Sequence, residues 1–310
     1  MKGVVIKSTG SQYWVRNEKG EKLVARARGN LRLQGRKTTN PISVGDRVVL
    51  IKGHDEVWLI NTIEERDNYL IRRSVNLSRQ EHIIASNIDR VFVVITISSP
   101  RTSMGFIDRV LCTAEAYKIE PVLVFNKMDL YDTDDTEYLN AIAFLYQNIG
   151  YKILKVSAVT GSGLNDLKQE MKDRTCLFAG HSGVGKSSLL NAIDPTLKLR
   201  VGEISEAHRK GTHTTTFAEM HELSFGGFIV DTPGIKEFGV IDLEKHEVSH
   251  YFPEMFALLP NCRFNNCLHQ NEPGCAVRKA VDEHRIASSR YTSYLGILNS
   301  EDLLEDWEKD

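Results

Sequence analysis

The sequence predicts a multidomain chain with an all-β barrel at the N-terminus, an α/β domain in the centre and a mostly helical module at the C-terminus, because its pattern changes twice over 310 residues. Five short stretches of strand-forming residues, 3–7, 12–17, 21–28, 46–52 and 57–63, are separated by turn formers such as Asn17-Glu18-Lys19-Gly20. From about residue 90, continuous apolar runs alternate with helical stretches. Beyond Gly234 the strand signal stops, and three cysteines and a histidine crowd into fourteen residues. The boundaries implied are 1–68, 69–235 and 236–310.

Five strands fit a small closed barrel. Residues 1–53 carry twelve Lys/Arg against three Asp/Glu, a net +9 in a chain whose total is −2, so the remainder sums to −11. A basic barrel of this size is expected to be OB-like and to bind a polyanion, RNA or DNA, through a cationic groove with stacking aromatics. Tyr13 and Trp14 are open to either role, stacking or core.

In the centre, apolar runs at 91–97, 121–125, 152–156, 176–179, 218–223 and 228–230 read as strands, and 106–117, 136–148, 164–172 and 186–193 read as helices. Strands alternating with helices imply a largely parallel sheet covered on both faces. Between the strand at 176–179 and the helix at 186 stands Gly180-His181-Ser182-Gly183-Val184-Gly185-Lys186-Ser187, followed by Ser188. This is the G-x-x-x-x-G-K-[ST] phosphate loop in the context it requires: backbone N–H groups wrap a phosphate at a helix N-terminus, Lys186 adds a cation and the Ser187 hydroxyl suits Mg²⁺. Asp231-Thr232-Pro233-Gly234 follows the last strand, where Asp231 is expected to hold Mg²⁺ through water and the Gly234 N–H to sense a γ-phosphate. Between them, Gly211-Thr212-His213-Thr214-Thr215-Thr216 is a candidate first switch, with Thr214 or Thr215 completing the Mg²⁺ shell.

Asn126-Lys127-Met128-Asp129 follows the strand at 121–125, and an aspartate in that position accepts from the two adjacent N–H donors of guanine. Adenine lacks that donor pair. Ser157-Ala158, after the strand at 152–156, fits a short motif whose backbone reads guanine O6. GTP and GDP are therefore the expected ligands. Base-reading residues ordinarily follow the phosphate loop in GTPases, whereas here they precede it, so the central domain is expected to be a circularly permuted P-loop GTPase. Chain termini that lie close together at a domain surface make such a permutation feasible.

Cys262, Cys267, His269 and Cys275 form C-x4-C-x-H-x5-C, three thiolates and an imidazole that fill a tetrahedral shell and leave no open position. Structural Zn²⁺ is the expected occupant. Cys112 and Cys176 fall in an apolar helix and a strand and read as inert core. No apolar segment approaches the ~18 residues of a membrane span, so a cytoplasmic location is expected, and no heptad or exposed apolar stretch calls for anything but a monomer.

With these residues in this order, the sequence resembles the ribosome small subunit-dependent GTPases, the RsgA/YjeQ group, over essentially its whole length. The resemblance implies a factor that binds the 30S subunit and 16S rRNA late in assembly, with GTP hydrolysis stimulated by the subunit and used to leave it. A rival reading is an RNA-binding module switched by GTP, with hydrolysis incidental. Ile235, unable to donate or accept, stands where many GTPases keep a water-orienting glutamine. Slow intrinsic hydrolysis is expected, with His213 either orienting water once bound RNA orders its loop or serving only as a surface residue. Because the second switch runs straight into the zinc module, its order is expected to reposition that module.

Overall fold

In a computed structural model of the chain, residues 1–32, 41–53, 56–73, 81–199, 218–231 and 243–299 are described. Contacts divide it into two compact units, one of residues 1–91, 165–178 and 187–235, the other of 92–164, 179–186 and 236–310.

The first unit contains the barrel. Strands β1 (Lys2–Ser8), β2 (Tyr13–Asn17), β3 (Lys22–Ala27), β4 (Arg47–Lys52) and β5 (Trp58–Ile63) run in the order β1-β2-β3-β5-β4, and β4 pairs back onto β1 to close the sheet. Alternation along β2 sends Tyr13, Val15 and Asn17 inward and leaves Trp14 and Arg16 half-buried. Tyr13, 2% exposed, therefore packs with Val5, Val15, Leu50 and Ile60 in the barrel core, while Trp14 faces outward. Of the two aromatics, Tyr13 is thus a core residue, and the stacking reading is left to Trp14 alone.

A hairpin of β6 (Tyr69–Arg73) and β7 (Glu81–Ser86), absent from the sequence reading, follows the barrel. Its anchor is polar: Arg66 donates from Nε to Asp46 Oδ1 at 2.6 Å, and the Ser86 hydroxyl donates to the same oxygen at 2.7 Å. Asp46 is fully buried, so both partners are needed to hold its charge there. The remaining strands of this unit are β11 (Thr175–Ala179), whose last residue crosses into the second unit, β12 (Glu219–Glu222) and β13 (Phe228–Asp231). β11 pairs with β13 in parallel, β13 with β12 antiparallel, and β12 with β1 of the barrel antiparallel, so β11, β13 and β12 share one sheet with the barrel, while β6 and β7 form a sheet of their own.

The second unit contains β9 (Glu120–Phe125), β10 (Lys152–Lys155) and all but the first two residues of β8 (Arg90–Ile95). β9 and β10 pair in parallel, as the continuous apolar runs predict. Helix α1 (Met104–Ala116) starts where the Ser103 hydroxyl accepts from the Phe106 N–H, and α2 (Thr133–Ile149) where Asp132 accepts from the Asp135 N–H. Gly150, at φ 114°, ends α2 in the left-handed region. Helix α3 (Leu164–Met171) falls at the predicted position, as does α4 (Lys186–Ile193) at the unit division.

The C-terminal residues fold as short helices, α5 (Pro253–Phe256), α6 (Ala276–Asp282) and α7 (Ser288–Leu298), with no strand among the described residues. Their core of Phe252, Met255, Val277 and Tyr294 extends to Cys112 of α1. Arg290 of α7, 1% exposed, donates to Asp108 of α1 at 2.7 Å and to Glu254 of α5 at 2.7 and 3.1 Å, and Tyr146 of α2 donates to Asp108 at 2.6 Å. Among the described residues, no helix is long and apolar enough to cross a membrane.

Candidate nucleotide and metal sites

Asn126, directly after β9, is 1% exposed and turns its side chain away from solvent. Its Nδ2 donates to the Val184 carbonyl of the phosphate loop at 2.8 Å, across 58 residues of sequence. Gly185, at φ 94°, leaves room for that amide: a Cβ there would stand 2.5 Å from Asn126 Nδ2. Lys127 follows in the left-handed region at φ 64° and donates from Nζ to the Ser99 carbonyl at 2.5 Å. Partial burial lowers the pKa of its ammonium against the pull of Asp129. Met128 and Asp129 lie in one 3-10 turn, and the Met128 N–H donates to the Val156 carbonyl at 3.2 Å.

The loop after β10 meets this turn. Ser157, fully buried, donates to Asp129 Oδ1 at 2.5 Å and accepts from the N–H groups of Val159 and Thr160. Ala158 is half-buried beside Val159, which is 84% exposed. Hydrogen bonds thus join two distant segments to the 126–129 turn: Asn126 to the phosphate loop and Asp129 to Ser157.

The phosphate loop runs through Gly180, His181, Ser182, Gly183, Val184 and Gly185 to Lys186. Gly180 and Gly183 also have positive φ, at 152° and 84°. Lys186 folds over the loop and donates to the carbonyls of Gly180 and His181 at 2.7 and 2.8 Å. An ammonium held over a ring of backbone N–H groups is suited to a terminal phosphate. The His181 ring lies 4.1 Å from that of Phe106, and burial, aided by Lys186, lowers its pKa. A neutral imidazole in the loop adds no charge that would compete with Lys186 for phosphate.

Ser187 and Ser188 open α4 in the first unit, Ser187 being 7% exposed. Asp231 ends β13 in the same unit. Burial, together with Glu219, raises its carboxyl pKa despite His221. A partly buried carboxyl beside a second acid gains from a divalent cation, so Asp231 suits the ion expected of it. Thr214, Thr215, His213 and Gly234 lie outside the described residues.

In the C-terminal module, Cys262, Cys267, His269 and Cys275 bring their ligand atoms within 4.8 Å of one another. His269 Nδ1 is 3.3 Å from Cys275 Sγ and 3.7 Å from Cys262 Sγ. A zinc tetrahedron with ordinary Zn–S and Zn–N lengths has edges of roughly 3.5–3.8 Å, so these two separations are of the size such an ion needs. Burial first, then neighbouring sulfurs, push the Cys267 thiol up to about 12, a cost that a cation bound as thiolate would reverse.

Three further residues, which the ligand spacing does not announce, shape the loop. The Glu272 carboxylate accepts from the N–H groups of Leu268, Gln270 and Asn271 at 2.7, 2.8 and 3.0 Å. These bonds lower its pKa although burial opposes them. Tyr291 and Tyr294 of α7 donate to the carbonyls of His269 and Leu268 at 2.6 and 2.7 Å.

Known proteins agree with this geometry over the full chain. A family model for the RsgA GTPase matches residues 63–241, and one for the RsgA N-terminal domain matches 2–57. A protein named small ribosomal subunit biogenesis GTPase RsgA from Bacteroides fragilis strain YCH46 is 51% identical over 302 residues, 97% of each chain. Its namesake from Flavobacterium psychrophilum is 53% identical over 305 residues, 97% of this chain and 94% of its own. Among solved structures, YjeQ from Thermotoga maritima is 38% identical with a TM-score of 0.80, covering 96% of this chain and 97% of that one. YloQ, described as a circularly permuted GTPase, is 32% identical with a TM-score of 0.75, covering 100% and 96%. Two family models cover the N-terminal domain and the GTPase region, and relatives are about half identical over 97% of the chain: this chain belongs to the RsgA GTPases.

Proposed function

We propose that the chain binds the 30S ribosomal subunit through 16S rRNA late in small-subunit assembly, hydrolyses GTP faster once bound and leaves in the GDP state. The observation that carries this reading is one chain holding both a basic barrel with an outward Trp14 and a guanine-type site in which Asn126 is hydrogen-bonded to the phosphate loop. The names of the relatives, small ribosomal subunit biogenesis GTPases, favour the same partner.

In the proposed division of labour, residues 1–68 contact rRNA, 69–235 bind nucleotide and 236–310 form a zinc-held module. Asp129 accepts from guanine N1 and N2, Ser157 and Ala158 orient the backbone toward O6, and Asn126 locks base reader to phosphate loop. Residues 180–186 wrap the phosphates, with Lys186 over the terminal ones. Ser187, Asp231 and Thr214 or Thr215 hold Mg²⁺ directly or through water, and Gly234 senses the γ-phosphate. Mg²⁺, when bound, neutralises charge developing on the phosphates. Cys262, Cys267, His269 and Cys275 hold a structural Zn²⁺. The chain works as a cytoplasmic monomer.

His213 is the proposed water-orienting residue, since Ile235 has no polar atom to do so. Hydrolysis measured with and without 30S subunits tests the cycle: wild type is expected to accelerate strongly with subunits, and His213→Ala to lose about 10²-fold or more of the stimulated rate while keeping its nucleotide affinity. A wild-type rate indifferent to subunits would leave the GTP-switched binding module as the better account, and full stimulation of His213→Ala would remove that residue from the chemistry.

A further inference from the structure

Four residues on four strands stand in a single cross-strand row. Trp14 of β2 is opposite Lys7 of β1, Lys7 is opposite Glu219 of β12, and Glu219 is opposite Asp231 of β13. Residues directly opposite in antiparallel pairs project from the same face, so the row is also a line of neighbouring side chains. The Lys7 ammonium is 2.8 Å from Glu219 Oε2 and 5.9 Å from the centre of the Trp14 ring. A bulge in β1 between Val5 and Lys7 shifts the register there, and bulges of this kind re-aim the following side chain.

The Lys7–Glu219 pair is a surface pair, its side chains 37% and 40% exposed, and such pairs add little to stability. Its position is the informative part. One end of the row is the carboxylate read above as the Mg²⁺ residue; the other is the aromatic face of the basic barrel. Glu219 is close enough to Asp231 to raise its pKa, after burial, and the other charged group affecting Asp231 is His221 on the same strand. Arg16, which shares a face of β2 with Trp14, pairs with Glu222 at the far end of β12, opposite Phe228 rather than Asp231, and so does not enter the row.

We propose that Glu219 is a positioning residue for the cation held at Asp231, and that Lys7, a residue of the barrel, sets how much of the Glu219 charge that cation feels. With Lys7 in place the added negative charge is largely cancelled; without it, Glu219 attracts the cation alongside Asp231. The barrel thereby contributes to nucleotide affinity through one ammonium, without touching nucleotide. This inference rests on the reading of Asp231 as the Mg²⁺ carboxylate.

The test is the Mg²⁺ concentration that half-maximally slows release of a fluorescent, non-hydrolysable GTP analogue from the full chain. Lys7→Gln is expected to lower that concentration about threefold and Glu219→Gln to raise it about threefold, the size an exposed, solvent-screened charge exerts. Lys7→Arg, which keeps the charge, is expected to stay at the wild-type value and so separates charge from any loss of folding. Lys2→Gln, which removes a barrel lysine paired with Glu64, is also expected to stay there. Wild-type values for both Lys7→Gln and Glu219→Gln, with Asp231→Asn strongly impaired in Mg²⁺ response, would overturn the coupling while leaving Asp231 its role. A wild-type response from Asp231→Asn would overturn the reading of Asp231 and the coupling with it.

Discussion

Asn126 shows how single residues carry the site. Its amide crosses from the end of β9 to the phosphate loop, and Gly185 is the residue that lets it pass. The Asp129 carboxylate is held in place by the Ser157 hydroxyl, as the proposed base-reading role requires. Replacing it by Asn removes the charge from two hydrogen bonds and turns part of the acceptor into a donor. Asp129→Asn is expected to weaken GDP about ten- to hundredfold and to favour xanthosine diphosphate, whose 2-oxo group accepts from an amide. Equal GDP affinity in titrations of the two proteins would contradict the base-reading role. These residues were legible in the sequence because each lies in a short motif beside a strand, where local spacing defines the chemistry. Glu219 was not, because its partner Lys7 is 212 residues away, and Glu272 was not, because its function is to accept from backbone inside the cysteine loop.

At the level of elements, strands and helices of the central region followed from apolar runs and helical stretches, although α2 starts at Thr133, after the Asp132 cap, rather than at 136. The β6–β7 hairpin did not: Tyr69-Leu70-Ile71 and Ile83-Ile84-Ala85 are too short and too uniformly apolar to show alternation, and the hairpin is fixed by Arg66 and Asp46, 20 residues apart. Nor did the sequence reveal how the C-terminal helices are held. Arg290 joins α7 to Asp108 of α1 and Glu254 of α5 in a buried cluster, so any repositioning of the zinc module by the second switch must either break these bonds or carry α1 along. Arg290→Met leaves Asp108 buried without its counter-charge and is expected to cost about 3–5 kcal/mol, seen as hydrogen-exchange protection lost in α1 and α7 together. Loss confined to α7 would show that the cluster does not join them. Zinc analysis of the purified chain is expected to give about one ion, and a chelator that removes it should expose the amides of 262–275, because buried thiols and Glu272 alone do not replace a cation. Unchanged protection after complete chelation would count against a structural metal.

Over the whole molecule, the order of the parts was legible and their joining was not. Composition showed a basic front and an acidic remainder, and motif order showed the permutation, but neither predicts that β12 pairs with β1 and brings β12 and β13 into one sheet with the barrel. That pairing arises from backbone hydrogen bonds between strands with no shared sequence signature. The account as a whole requires that the chain grip RNA electrostatically and that nucleotide state govern the grip. Sedimentation with 30S subunits, in GTP analogue and in GDP across a salt series, tests both. The expected result is retention with the analogue, release with GDP, and a steep fall in retention as salt rises, since phosphate contacts are weakened by salt in proportion to their number. Equal retention in the two nucleotides, or no retention at any salt, would contradict it.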